Sequence, residues 1–176
     1  MKSTRLAQSV LVGCVLIALS CREPSPTGID ATTAPPSGDL LGTSLMSRIG
    51  LLSCTPLPAD SASQTIGAEG GVLQVGPHTL SIPAGALDTA VTLTAVAPSA
   101  TVNSVQFGPQ GLTFQQPATL TMSYANCRGL ALGWSKRIAY TTDLLEILEY
   151  LSSLDAKGDQ AVSAPIDHFS TYAVAW

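Results

Sequence analysis

The chain is 176 residues long and carries eight Lys and Arg against twelve Asp and Glu, a formal net charge of −4 at pH 7. An acidic chain without a Lys/Arg run argues against nucleic acid as a partner and against electrostatic docking on anionic lipid. Only 11% of the residues are charged, too few for long solvated helices, so a sheet-rich chain of one domain plus a tether is expected.

Lys2 and Arg5 precede an apolar run over residues 6–20, LAQSVLVGCVLIALS, which ends at Ser20-Cys21. A basic start, an apolar stretch of this length and a small residue before the cut describe a secretory signal peptide over residues 1–20. Ala18-Leu19-Ser20-Cys21 resembles the lipobox of bacterial lipoproteins, in which the cysteine is acylated and becomes the first mature residue. The resemblance implies a lipidated Cys21, palmitate-bearing and anchored through its acyl chains. Leu11-Val12-Gly13-Cys14 fits the lipobox pattern better, with Leu three residues before the cysteine, but a cut there leaves an apolar core of only about eight residues. Cys21 is therefore preferred. The run is short of the roughly 20 residues of a membrane span, and more than one acyl chain suffices for stable anchoring. Arg22 rather than Asp follows Cys21, which under the usual sorting rule of diderm bacteria implies delivery to the outer membrane, periplasmic or surface-facing. Removing Lys2 and Arg5 with the signal takes the net charge from −4 to −6.

Residues 22–60 hold six of the twelve prolines among Ser, Thr, Gly and Ala. Such a stretch buries too little apolar surface to order itself, so residues 21–61 are expected to form a flexible tether. Within it Leu41, Leu45, Ile49 and Leu52 recur at nearly helical spacing, which predicts a short helix over 40–53, although Gly42 and Gly50 oppose it. Cys14 leaves with the signal and Cys21 takes the lipid. Cys54 and Cys127 remain, and in an oxidising compartment they read as one disulfide closing a loop of about 70 residues, worth about 2–4 kcal/mol. Two free thiols and a zinc site are the rivals, the latter short of partners beyond His78 and His168.

From residue 62 the texture changes to short alternating runs broken by Gly and Pro, the pattern of an all-β sandwich over 62–176. Runs at 72–75, 79–82, 91–96, 105–107, 120–124, 137–140, 161–166 and 169–176 supply the strands; in 91–95, Val91, Leu93 and Ala95 share one face, as pleating requires. The stretch 143–155 is ambiguous. Leu144, Ile147, Leu148 and Leu151 have helical spacing and Asp143 with Glu146 suits a capping box. The rival is a turn at 142–146 and a strand at 147–151.

Four pieces then stand in order: Gly70-Gly71, LSIPAGAL over 80–87, FGPQGLTFQQPATLTMSY over 107–124, and His168-Phe169-Ser170. Together they resemble the ZU-five domain of ankyrins, netrin receptors, zonula occludens proteins and a death-domain adaptor, and the single-domain versions of bacterial envelope proteins. The resemblance covers roughly 62–176 and implies an antiparallel β-sandwich, with a strand rather than a helix at 147–151. Pro83 ends a strand for want of a donor, Gly85 permits a sharp reversal, and Pro109 with Gly111 suits a turn.

In some members of that family the chain cuts itself within the same tripeptide. Carried over, Ser170 Oγ would attack the Phe169 carbonyl carbon, moving the acyl group from nitrogen to oxygen, and water would hydrolyse the ester. His168 would take the serine proton and then assist departure of the amine, with folding strain making the amide reactive. Against this, HFSTYAV reads as a plain last strand, with Phe169, Thr171 and Ala173 on one face, and a cut would release only Ser170–Trp176. Other chemistry is thinner. There is no G-x-S-x-G elbow for a serine hydrolase, Asp167 points away from its neighbour His168 on a strand, and Glu146 with Glu149 reads as an exposed turn and edge. No dinucleotide, phosphate or calcium loop is present, and no cofactor is expected. Trp134, Trp176, Tyr140, Tyr150 and Tyr172 would suit a sugar-binding surface, though scattered aromatics in a sandwich are usually core or rim residues. The expected role is a non-enzymatic interaction or structural module of the cell envelope with a protein or glycan partner; the alternatives are an autoproteolytic domain and a glycan-binding module.

Overall fold

A computed structural model of the protein describes residues 50–128 and 133–176. The signal peptide, Cys21 and the tether as far as residue 49 lie outside the described residues. Eleven strands follow in order: β1 Asp60–Ile66, β2 Gly71–Val75, β3 His78–Ile82, β4 Val91–Ala97, β5 Ser104–Gly108, β6 Thr113–Ser123, β7 Arg137–Thr141, β8 Ile147–Tyr150, β9 Leu154–Ala156, β10 Ala161–His168 and β11 Thr171–Ala175. They form a six-stranded sheet, β1-β4-β5-β11-β7-β8, and a five-stranded sheet, β2-β3-β6-β10-β9. Neighbours in both are antiparallel. The expected all-β sandwich is the observed one. No described segment is an α-helix, and none is long and apolar enough to cross a membrane.

The alternation in the sequence places the core. In β4, Leu93, Ala95 and Ala97 are buried while Thr92 and Thr94 are exposed; in β6, Ala118, Leu120 and Met122 turn inward. These side chains meet Leu73, Leu80, Ile82, Phe107, Val162, Ile166, Tyr172 and Val174 in one cluster between the sheets. A smaller cluster covers the outer face of β11, where Ala173 and Ala175 pack with Leu51, Val102 and Ala139. All five residues of β11 are therefore buried. The cover from Leu51 and Val102 sets it apart from β4, also interior to this sheet, whose Thr92 and Thr94 stay exposed.

Three stretches differ from what their local sequence suggests. Residues 51–53 are extended rather than helical: Leu51 bridges Ala175, and the Leu52 amide donates to the Val174 carbonyl at 2.9 Å. Among the described residues, this segment continues the sheet beside β11. The rest of the expected 40–53 helix lies outside the described residues. Second, 147–150 is a strand, so helical spacing loses to pairing with β7. Leu144 and Leu148 are exposed, Leu145 takes φ 64°, and the turn closes through the Thr142 amide on the Glu146 carbonyl, 2.9 Å. Third, 168–174 is not one strand. β10 bulges between Ile166 and His168 in one sheet, and β11 begins at Thr171 in the other. Phe169 and Ser170 carry the chain across the sandwich.

Cys54 and Cys127 form the expected disulfide, 73 residues apart in sequence. Around it the Cys54 amide donates to the Thr101 carbonyl and the Thr55 amide to the Asn126 carbonyl, at 2.8 and 2.9 Å. The start of the fold is held covalently and by backbone bonds at one place.

His78 is the other buried polar group with a thermodynamic consequence. Its Nδ1 accepts the Ser123 amide at 3.2 Å, which only the neutral ring with its proton on Nε2 can do, and burial pushes its pKa from 6.5 to about 4. The unfolded chain binds a proton here below pH 6.5, whereas the folded chain does so only near pH 4. Stability therefore falls as pH drops through that window, by about 3 kcal/mol, and levels off below it. Denaturant unfolding at neutral pH and near pH 4 should show the wild type losing about 3 kcal/mol more than His78→Gln; equal losses would remove His78 from the account.

Candidate functional site

The four sequence pieces that stand apart along the chain meet in space. Gly71 pairs with Ile82 across β2 and β3, and the Gly85 amide donates to the Ala68 carbonyl at 2.8 Å. Ala86 then reaches β6, its carbonyl accepting the Gln115 amide at 2.9 Å. The loop after Phe107 wraps the sheet crossing: the Phe169 amide donates to the Leu112 carbonyl at 2.8 Å, the Gly111 amide to the Phe169 carbonyl at 3.0 Å, and the Phe107 amide to the Ser170 carbonyl at 3.0 Å. Side chains repeat the arrangement. The Phe169 ring stacks on Phe107 at 5.1 Å and meets Phe114 edge-on at 5.2 Å.

The candidate nucleophile and base are neighbours without being coupled. Ser170 is half-buried, and its Oγ makes no hydrogen bond to the His168 ring. That ring stands edge-on to Tyr140 at 5.0 Å and lies 6.2 Å from Tyr172. The Tyr172 hydroxyl donates to the His168 carbonyl at 2.7 Å, and burial pushes this phenol's pKa upward. Asp167 is exposed. One element suits acyl chemistry: the Gly111 amide already points at the Phe169 oxygen, where negative charge would develop on attack. Neither Phe169 nor Ser170 takes a positive φ; the described non-glycine residues that do are Leu145 and Gln160. What a cut would do also changes. Ser170–Trp176 contains β11, which pairs with both β5 and β7, so the seven residues would stay in the sheet rather than be released.

Asp143, read from sequence only as a capping residue, instead braces this end of the sheet. Its Oδ1 accepts Thr171 Oγ1 at 2.8 Å, Gln106 Nε2 at 2.9 Å and Gln110 Nε2 at 3.5 Å. Thr171 first, then Gln106, hold its carboxyl below the usual range. Glu146 and Glu149 are both exposed, as expected of a turn and an edge.

The aromatics do not form one surface. Tyr172 is in the core and Tyr140 backs His168. Trp134 and Trp176 pack against each other at 4.6 Å, and Tyr150 lies under the Arg137 guanidinium, 5.5 Å away. A cationic cluster had no signal in the sequence, because Lys157 follows β9 in one sheet while Lys136 and Arg137 stand at the start of β7 in the other. No group of His, Cys, Asp or Glu among the described residues is arranged to hold a metal ion. No family model matches the chain, and no curated protein matches it in sequence.

The glycines of the converging pieces separate two physical requirements. Gly70 and Gly111 both have left-handed backbone, φ +74° and +76°. A Cβ at Gly111 would meet open space, whereas one at Gly70 would strike the Ile82 carbonyl oxygen and approach Pro83 C to 2.7 Å. Gly111→Ala should cost about 1–2 kcal/mol of strain, and Gly70→Ala about 2 kcal/mol more, because the β2–β3 corner must shift. Urea unfolding of the two variants reads the difference directly; equal costs would mean that the close approach at Gly70 is relieved without penalty.

Proposed function

We propose that this protein is a non-enzymatic binding or structural module of the bacterial cell envelope, a ZU-five-like sandwich carried outside the cytoplasm on a lipidated tether from Cys21. The observation that carries the reading is the Cys54–Cys127 disulfide at the point where the tether enters the fold. Structural disulfides belong to oxidising compartments, which supports export. Its position supports anchoring: a pull transmitted from the membrane along the tether would meet a covalent bond to the body of the domain before it reached β1. The meeting of Gly70-Gly71, LSIPAGAL, FGPQGL and His-Phe-Ser in space supports the family likeness, since those pieces are separated by many residues and have no local reason to converge.

Self-cleavage is the second reading, favoured by the Gly111 amide on the Phe169 carbonyl and the half-buried Ser170. The three backbone bonds and two ring contacts that fix Phe169 and Ser170 favour the binding module instead, because attack by Ser170 would have to move a carbonyl they hold in place.

Intact mass under denaturing conditions separates the two readings, using protein purified from membranes and a Ser170→Ala variant. Denaturation is essential, because a cut chain would keep β11 in the sheet. We expect one species, beginning at acylated Cys21 and ending at Trp176, in both proteins. A wild-type species ending at Phe169 and absent from the variant would overturn the non-enzymatic reading. In the same cells Cys21→Ser should move the protein from the membrane to the soluble fraction; an unmodified chain that stays membrane-bound would overturn the lipid anchor.

A further inference from the structure

The described residues carry nine carboxylates and four Lys or Arg, yet three of those four cations line a single cleft of about 500 Å³. Lys136 and Arg137 enter from the start of β7, and Lys157 from the turn after β9. Like charges gathered on an otherwise acidic body repel one another and focus a positive potential in the cleft. One carboxylate, Asp155, lines it as well and offsets one of the three charges, which leaves the cleft net positive. Asp155 has both oxygens committed: Oδ1 accepts the Tyr124 hydroxyl at 2.7 Å and Oδ2 the Lys136 amide at 2.8 Å.

The three cations have different duties. The Lys136 side chain is buried, its ammonium donating to the Trp134 carbonyl and lying 5.9 Å from the Tyr124 ring centre. Burial holds it below the usual lysine range, Asp155 opposing and Lys157 adding to the shift. It is the inner, structural charge. Arg137 and Lys157 are exposed, and neither makes an ion pair with a described residue. Arg137 is braced over the Tyr150 ring, and Gly50 lies close beside the Tyr150 hydroxyl, where a Cβ would collide with it. Tyr150 and Leu151 add an apolar wall to the cleft, beside the exposed Ser152.

We propose that this cleft binds an acidic saccharide, its carboxylate or phosphate held by Arg137 and Lys157 and its ring lying against Tyr150 and Leu151. The guanidinium presents a planar fork suited to either anion. The volume falls within the roughly 300–1,000 Å³ of small-ligand sites. A phenol ring with an aliphatic neighbour suits the apolar face of a sugar, and a bare inorganic anion would leave that wall unused. The proposal rests on the binding-module reading and names its ligand; binding in solution does not depend on the lipid, so failure of the anchor would leave it standing.

Titration calorimetry on the full-length protein in detergent at low ionic strength tests it with four probes: glucuronate, glucose 6-phosphate, glucose and inorganic phosphate. The two acidic sugars should bind at least about tenfold more tightly than glucose or phosphate, the worth of one charge-assisted contact. Arg137→Gln and Lys157→Gln, both at exposed positions and each checked for an intact fold by its thermal melt, should each weaken the acidic sugars by about tenfold and leave glucose unaffected. Phosphate binding as tightly as glucose 6-phosphate would reduce the cleft to a general anion site and overturn the saccharide. Glucose binding as tightly as glucuronate, no loss in either variant, or no binding by either acidic sugar would overturn the proposal outright.

Discussion

The sandwich depends on the two-residue crossing at Phe169–Ser170, because the last two strands occupy interior positions of different sheets. β10 lies between β6 and β9, and β11 between β5 and β7. Without β11, β7 and β8 have no connection to the rest of their sheet. The chain must therefore pass from one layer to the other in a single step, with its backbone groups satisfied as it goes. The loop at 109–112 and the end of β5 meet that need by bonding the Phe169 amide and both carbonyls of the crossing, while Phe107 and Phe114 clasp the Phe169 ring. Much of the sandwich therefore rests on pairings between residues far apart in sequence, an arrangement that is slow to assemble.

The same strand ties the two ends of the fold together. Leu51 bridges Ala175, the Trp176 amide donates to the Gly50 carbonyl at 3.0 Å, and Trp176 Nε1 donates to the Leu51 carbonyl at 3.3 Å. Cys54 then locks the first segment to Cys127 a few residues on. An anchored tether would thus meet the fold beside its most buried strand, where a local pull is shared between a covalent bond and the sheet. Gly50 also lies beside the Tyr150 hydroxyl, so the segment paired with β11 stands next to the cationic cleft.

Local sequence was a good guide wherever one face of a strand is buried and the other wet. Val91–Ala97 and the second half of β6 alternate cleanly, and Gly or Pro closes several strands, so the all-β class and most strand positions were legible. Alternation also implied the wrong thing at HFSTYAV. Pleating predicts a continuous strand there, whereas a bulge and a two-residue crossing move the chain to the other sheet. The stripe Leu144, Ile147, Leu148, Leu151 has helical spacing, and pairing with β7 outweighed it. Residues 51–53 carry no strand signature; they are extended because β11 offers unpaired backbone beside them.

By itself the sequence determined the fold class, the inward face of the alternating strands, and the short pieces whose spacing demands particular backbone turns, and it offered Cys54 with Cys127 as a disulfide that the structure then formed. These follow from periodicity, from Gly and Pro stereochemistry and from counting cysteines, all local or compositional properties. Only the tertiary structure decided that the last strand is central, that the residues after Phe169 pair on both sides with β5 and β7, and that Lys157 stands with Lys136 and Arg137. The reason is physical. Strand order and the neighbours of a charge are set by pairings between residues far apart in the chain, and no local spacing encodes which strand a given edge will meet.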